Sequence, residues 1–178
     1  MEMTMETIKA KIRTIPDFPR EGIQFRDITT LLKDAQGFRQ TVDAFVNRYQ
    51  PMSIDMVAGI ESRGFIIAGA IACLLGKGFI PIRKPGKLPA ETYRRDYQLE
   101  YGTDAIEMHR DAVTPAMRVL MVDDLLATGG TMKAACELVE MAGGKVVECA
   151  FIVDLPDLKG REKLEGYSVF TLVAFSGH

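Results

Sequence analysis

Short apolar runs and longer ones alternate along the chain, separated by charged or glycine-rich turns. Ile54 to Ile60 (IDMVAGI) has strand character, Gly64 to Leu75 (GFIIAGAIACLL) is long enough for a buried helix, and Phe79 to Arg83 is a second short run. The unit returns as Arg118 to Val122 (RVLMV), a helix from about Gly130 to Met141 stopped by Gly143-Gly144, and a strand over Lys145 to Asp154. Strand, helix and strand twice over predict an α/β fold with a mainly parallel central sheet flanked by helices. Right-handed crossovers then leave a ligand crevice beyond the carboxyl ends of the strands. A closing strand is expected near Ser168 to Ala174. Ahead of the sheet, a helix near Met5 to Arg13, a proline-rich turn at Ile15 to Gly22 and a helix near Gly37 to Tyr49 predict a cap. Arg83 to Tyr101 (RKPGKLPAETYRRDYQLEY) lacks helical periodicity until Tyr97 and predicts a long mobile loop, a class usually tied to function.

Length adds that a single domain is expected at 178 residues. We divide it into a hood over approximately 1–36 and a core over approximately 37–178. A formal charge of −2, with basic residues scattered, argues against nucleic acid as the main ligand, so any anion must be held locally. Met1 to Lys11 is mixed polar and acidic, which fits neither a signal peptide nor a membrane span and leads us to expect a cytoplasmic protein. Cys73, Cys136 and Cys149 show no CxxC spacing and sit in apolar segments, so reduced, buried thiols are expected. His109 and His178 have no local ligand partner, and surface or terminal roles are expected for both.

The strongest chemical pattern is Val119 to Thr131 (VLMVDDLLATGGT), an apolar strand that ends in two carboxylates and runs through small residues into a helix. Ala127, Thr128, Gly129, Gly130 and Thr131 let backbone N–H groups approach an anion, and the helix adds its positive end. No GK[ST] follows and no GxGxxG is present, so a lone phosphate monoester suits the loop better than a nucleoside triphosphate or dinucleotide. Asp123 and Asp124 stand where the ribose of such a ligand would lie, and carboxylates accept hydrogen bonds from vicinal hydroxyls. Two acids in a solvated turn, with Thr128 capping the helix, is the alternative reading of the pair alone.

VLMVDDLLATGGT resembles the phosphoribosyl pyrophosphate (PRPP) signature of type I phosphoribosyltransferases. IPDFPREGIQFRDITTLL (15–32), AGIESRGF (58–65), IRKPGKLP (82–89), LEYG (99–102) and LKGREKL (158–164) narrow the resemblance to the adenine phosphoribosyltransferases. It implies transfer of the 5-phosphoribosyl group from PRPP to N9 of adenine, giving AMP and pyrophosphate, on a five-stranded parallel sheet with a hood, usually in a homodimer. Glu61, Ser62 and Arg63 lie at another strand end, where backbone amides and Arg63 suit pyrophosphate; the family does this, sometimes through a non-proline cis peptide, and often has Asp at Glu61. Arg83, Lys84 and Lys87 are flexible cations suited to the leaving group, and Mg²⁺ is expected, held by substrate oxygens and water near Asp123 and Asp124. By resemblance the Glu of LEYG, Glu100, works at N7 of adenine with Tyr101 beside it, so that Glu100, Tyr101, Arg63 and Lys87 form the catalytic set. Phe25 and Arg26 are the expected hood contacts to the base, and Gln24 occupies the position from which the family contacts the adenine amino group through main chain. The same machinery serves hypoxanthine, guanine or xanthine, and a non-catalytic sensor of PRPP is the rival from another class.

Overall fold

A computed structural model describes residues 5–98 and 102–177. In chain order its elements are α1 (Met5–Lys9), β1 (Arg13–Ile15), β2 (Phe25–Asp27), α2 (Thr29–Leu32), α3 (Ala35–Tyr49), β3 (Met56–Ile60), α4 (Arg63–Leu75), β4 (Gly78–Ile82), β5 (Thr92–Gln98), β6 (Thr103–His109), β7 (Arg118–Leu126), α5 (Gly130–Met141), β8 (Lys145–Asp154), α6 (Gly160–Lys163) and β9 (Val169–Ala174). A 3-10 turn spans Pro156–Leu158. The strands β4, β3, β7, β8 and β9 lie side by side in that order, each pair parallel, as the alternation of apolar runs predicts.

Strands buried on both faces explain why their sequences are continuous apolar runs. In β7, Leu120 and Val122 pack into the layer that holds α3 and α4, while Val119 and Met121 pack into the layer that holds α5 and the β5–β6 hairpin. Each fully buried Ile or Leu in these layers contributes about 1.5–3 kcal/mol over leaving it exposed. A buried polar clamp fixes α3 to the sheet: Arg48 Nε and the Tyr49 hydroxyl each donate to Glu148 of β8 at 2.7 Å. Sequence neighbours β3 and β4 run outward on one side of β7, and β8 and β9 on the other. The reversal point between β3 and β7 is where an open α/β sheet forms its ligand crevice.

Several expectations need correction. Arg83 to Tyr101 is not one long loop: β5 pairs along its full length with β6, and Arg83 exchanges backbone hydrogen bonds with Glu107. One face of the hairpin is solvated, so Arg94, Arg95 and Asp96 obscure the apolar anchors Tyr93 and Tyr97. The first helix stops at Lys9 because Arg13 to Ile15 pairs with β2, where Arg13 also forms an ion pair with Asp27. β7 runs through both carboxylates to Leu126, held by pairing of Asp123 with Phe151 and of Leu126 with Asp154. Cys73 is exposed, on the outer side of a helix that is apolar all round, whereas Cys136 and Cys149 are buried with sulfurs 3.4 Å apart. His109 is half-buried at the end of β6 because the hairpin packs on the core, and His178 lies outside the described residues.

Candidate active site

At the β3–β7 reversal point lies a cleft of about 340 Å³, lined by Glu61, Ser62, Arg63, Arg83, Lys84, Tyr97, Asp104, Asp123, Asp124 and Thr131 over apolar walls from Ile60, Ile82, Ile106 and Leu125. A smaller cavity of about 80 Å³ adjoins it, formed by Ala127, Thr128, Gly129, Gly130 and Thr131 with Met132 and Phe151. Asp123, Leu125 and Thr131 line both. The two carboxylates therefore stand between a loop of small residues and a group of cations.

The cationic end is built from three strand ends and their loops. Arg63, the first residue of α4, donates from Nε to Asp124 at 2.5 Å. Arg83 donates to Glu61 at 2.8 Å, and Lys87 approaches the same carboxylate at 3.3 Å. These donors, Arg83 first, hold the Glu61 carboxyl below its usual range. Lys84 pairs with Asp104 at 2.7 Å and lowers that carboxyl likewise, while Tyr97 reaches Asp104 at 3.3 Å. The Glu61–Ser62 peptide is cis.

Asp123 behaves differently from its neighbours. Burial, and then the charge of Asp124, push its carboxyl well above the ordinary value, although Asp124 donates its backbone N–H to it at 2.9 Å. A Cβ at Gly64 would stand 2.7 Å from the Asp123 carboxylate, so only glycine lets the start of α4 pass this close. A pair of carboxyls in this state favours arrival of hydroxyl donors or a cation.

The small-residue end opens directly onto α5, whose N-cap is Gly129 with φ 79° and whose first residue is Gly130. The free N–H groups and positive end of this twelve-residue helix face the small cavity. Across it the hairpin packs closely, with the Gln98 carbonyl 3.4 Å from where a Gly130 Cβ would be.

Of the residues expected from sequence, Glu61, Ser62, Arg63, Arg83, Lys84, Asp123, Asp124 and the loop 127–131 come together, with Lys87 joined through Glu61. Gln24, Phe25 and Arg26 do not line either cavity. Phe25 sits with its ring centroid 5.9 Å from the Arg63 guanidinium. The Arg26 guanidinium turns to the C-terminal segment, donating to the Gly177 carbonyl at 2.8 Å and lying over the Phe175 ring. Glu100 and Tyr101 lie outside the described residues. Sequence reasoning missed Tyr97, Asp104 and Ile106, whose place in the cleft depends on hairpin pairing; the alternation of buried Ala105, Ile106 and Met108 with charged residues was the available signal.

Comparison with known proteins bears on this arrangement. The Phosphoribosyl transferase domain family matches residues 32–177. The adenine phosphoribosyltransferase of Nitrosomonas europaea is 59% identical over 171 residues, covering 95% of this chain and 98% of the relative. The crystal structure of adenine phosphoribosyltransferase from Thermoanaerobacter pseudethanolicus is 50% identical with a TM-score of 0.94, covering 97% of this chain and all of that one. The Saccharomyces cerevisiae adenine phosphoribosyltransferase, solved with adenine and an imino-altritol bisphosphate, is 39% identical with a TM-score of 0.90, over 95% and 98% of the two chains.

Proposed function

The chain belongs to the phosphoribosyltransferase family, among the adenine phosphoribosyltransferases, and from that premise we propose which of its residues carry the reaction. It transfers the 5-phosphoribosyl group from PRPP to N9 of adenine, giving AMP and pyrophosphate, a reaction of purine salvage. The observation that carries the residue assignments is the two-ended cleft, with a small-residue loop and a cation group flanking one carboxylate pair. PRPP has the matching form: a phosphate monoester and a pyrophosphate at opposite sides of one ribose.

The amides of 127–131 and the hydroxyls of Thr128 and Thr131 hold the 5-phosphate, with the positive end of α5 adding to the field. Asp123 and Asp124 accept from the ribose hydroxyls. Arg63, Ser62, Arg83, Lys84 and Lys87 take the pyrophosphate, exchanging their contacts with Asp124, Glu61 and Asp104 for contacts with the ligand. As the C1–oxygen bond breaks, charge grows on the leaving group, and the cations grouped beside it stabilise that charge. N9 of adenine then bonds to C1 and its proton departs; Glu100, with Tyr101 beside it, manages the purine protons through N7. Gln24, Phe25 and Arg26 serve the base chiefly through main chain and the Phe25 ring, since the Arg26 guanidinium is engaged elsewhere.

Among the described residues no three His, Cys, Asp or Glu side chains converge as a metal site. The oxygen donors in the cleft, Asp123, Asp124 and Glu61, are hard ligands that fit Mg²⁺ arriving with the substrate's own oxygens. Bound there, Mg²⁺ supplies charge neutralisation at the leaving pyrophosphate.

We read the chain as one domain, with residues 1–36 as hood over a core of 37–178. The functional unit is a homodimer: α4 leaves Ile66 47% and Leu74 50% exposed on one side together with Cys73, an apolar stripe that in a helix otherwise packed on a sheet calls for a partner. The compartment is the cytoplasm, where thiols such as Cys136 and Cys149 stay reduced at 3.4 Å; no helix among the described residues is long and apolar enough to cross a membrane.

The test is AMP formation from adenine, PRPP and Mg²⁺, with guanine, hypoxanthine and xanthine as competitors and a matched reaction in EDTA. Turnover with adenine alone, abolished by EDTA, is expected. Turnover with another purine would overturn the hood assignment, and full activity in EDTA would overturn the role of the metal.

A further inference from the structure

The segment LKGREKL (158–164) lines no part of the main cleft, yet it meets the phosphate loop backbone to backbone. A Cβ built at Gly160 would stand 2.2 Å from the Ala127 carbonyl oxygen and 2.8 Å from Leu126 Cδ1. One built at Gly129 would stand 2.4 Å from the Gly160 carbonyl oxygen. Gly129 also needs its left-handed φ of 79°, whereas Gly160 has no positive φ, so space alone requires glycine there. The nearest obstacle at each glycine is a main-chain oxygen, and at Gly160 it belongs to the loop whose N–H directions decide anion binding, so it cannot swing aside as the Leu126 side-chain end can.

The seat beneath the loop is itself anchored. Arg161 donates to Asp154 at the end of β8 at 2.8 Å and to the Thr171 hydroxyl of β9 at 3.0 Å. The Leu155 N–H donates to the Leu126 carbonyl at 3.0 Å, and Leu164 is fully buried behind α6. The turn and α6 therefore form a rigid floor joined to two strands of the sheet, with the phosphate loop lying on it.

We propose that Gly160 is a positioning residue for the 5-phosphate: its bare Cα sets the height of the 127–130 backbone, and with it the aim of the anion-binding amides. The proposal rests on the reading of that loop as the 5-phosphate site. It concerns one end of the cleft only, because Gly160 touches nothing at the cationic end.

Gly160→Ala forces a displacement of roughly 1 Å before ordinary contact distance is restored, and misplacement on that scale costs up to about 100-fold in a preorganised site. The expected result is a rise of about tenfold or more in KM for PRPP and in the inhibition constant of AMP, both of which present a 5-phosphate. The inhibition constant of pyrophosphate and kcat at saturating PRPP should stay near those of the parent. A structural role without aim would move AMP and pyrophosphate together, or lower the melting temperature with no change in AMP binding; either result overturns the proposal. Arg161→Met loosens the floor without adding an atom at the loop, and it carries the same test if Gly160→Ala fails to fold, with a smaller rise for AMP expected and equal changes for both ligands overturning it. Thr131→Ala separates the two levels. If it weakens AMP while Gly160→Ala does not, the floor has no positioning role; if neither weakens AMP, the 5-phosphate reading fails as well.

Discussion

Asp124→Asn removes one charge and keeps the shape of the side chain. The Asp124 carboxylate is buried and accepts from Arg63 at 2.5 Å, while the Arg63 side chain is 43% exposed. Hydrogen bonds to a charged group contribute about 1.5–3 kcal/mol and neutral ones about 0.5–1.5, so the substitution weakens this contact by about 1–2 kcal/mol. Water reaching the exposed guanidinium recovers part of that, leaving a loss of about 1 kcal/mol in stability, or about 2–4 °C in melting temperature for a chain of this size. Binding loses more. A ribose hydroxyl that donated to a carboxylate now meets an amide, so kcat/KM for PRPP should fall by about 10- to 100-fold. KM for adenine should change little. The assay is steady-state AMP formation with PRPP varied at fixed adenine, alongside a thermal melt and a double-mutant cycle with Arg63→Gln. A kcat/KM for PRPP within twofold of the parent, in a protein that melts as predicted, would refute the ribose assignment.

Asp123→Asn should act on stability in the opposite sense. Because the folded carboxyl is raised above its unfolded value, its contribution is fully present below the ordinary carboxylate range and lost as pH rises through the raised value; the variant should therefore melt higher than the parent at pH 7, with the gap closing in acid, while activity drops. A gap that widens in acid would contradict the burial argument. Asp27 is held at about 2 by hydrogen bonds from Thr29 and the neighbouring Arg13, so Asp27→Asn should destabilise at neutral pH, with the loss fading as pH falls from the usual carboxylate range toward 2; a pH-independent loss in thermal melts would rule this out. If the protein is the homodimer proposed above, Ile66→Glu with Leu74→Glu should lower its sedimentation coefficient to that of a monomer in analytical ultracentrifugation, and an unchanged coefficient would remove α4 from the interface.

What could be read in the sequence follows the range of the interactions involved. α5 begins at Gly130 and β8 spans Lys145–Asp154 as expected, since a run of small residues, an amphipathic helix and a glycine stop act locally. That the small-residue loop 127–131 follows the Asp123–Asp124 pair at the end of a strand was legible for the same reason. The β5–β6 hairpin was not, because charged Arg94, Arg95 and Asp96 look solvated until Glu137 of α5 is placed opposite Arg95. The partners of the cations were likewise hidden: Glu61 lies 22 positions from Arg83 and Asp124 lies 61 from Arg63, separations that only the parallel sheet closes. Cys73 was misread because an apolar helix implies burial without saying whether the protein's own core supplies it.

Around the cleft, Arg63, Arg83, Lys84 and Lys87 are matched by Glu61, Asp104, Asp123 and Asp124, so positive and negative side chains are equal in number. Such a mouth projects little net field, and the chain as a whole carries a formal charge of only −2. A field this weak gives polyanions such as nucleic acids little attraction from a distance. At the cationic end an anion gains a foothold only by displacing carboxylates from their guanidinium and ammonium partners one contact at a time, which demands the right spacing from its other charged end. Discrimination among phosphorylated compounds is thus exercised at contact range, and association with the correct one should depend only weakly on ionic strength.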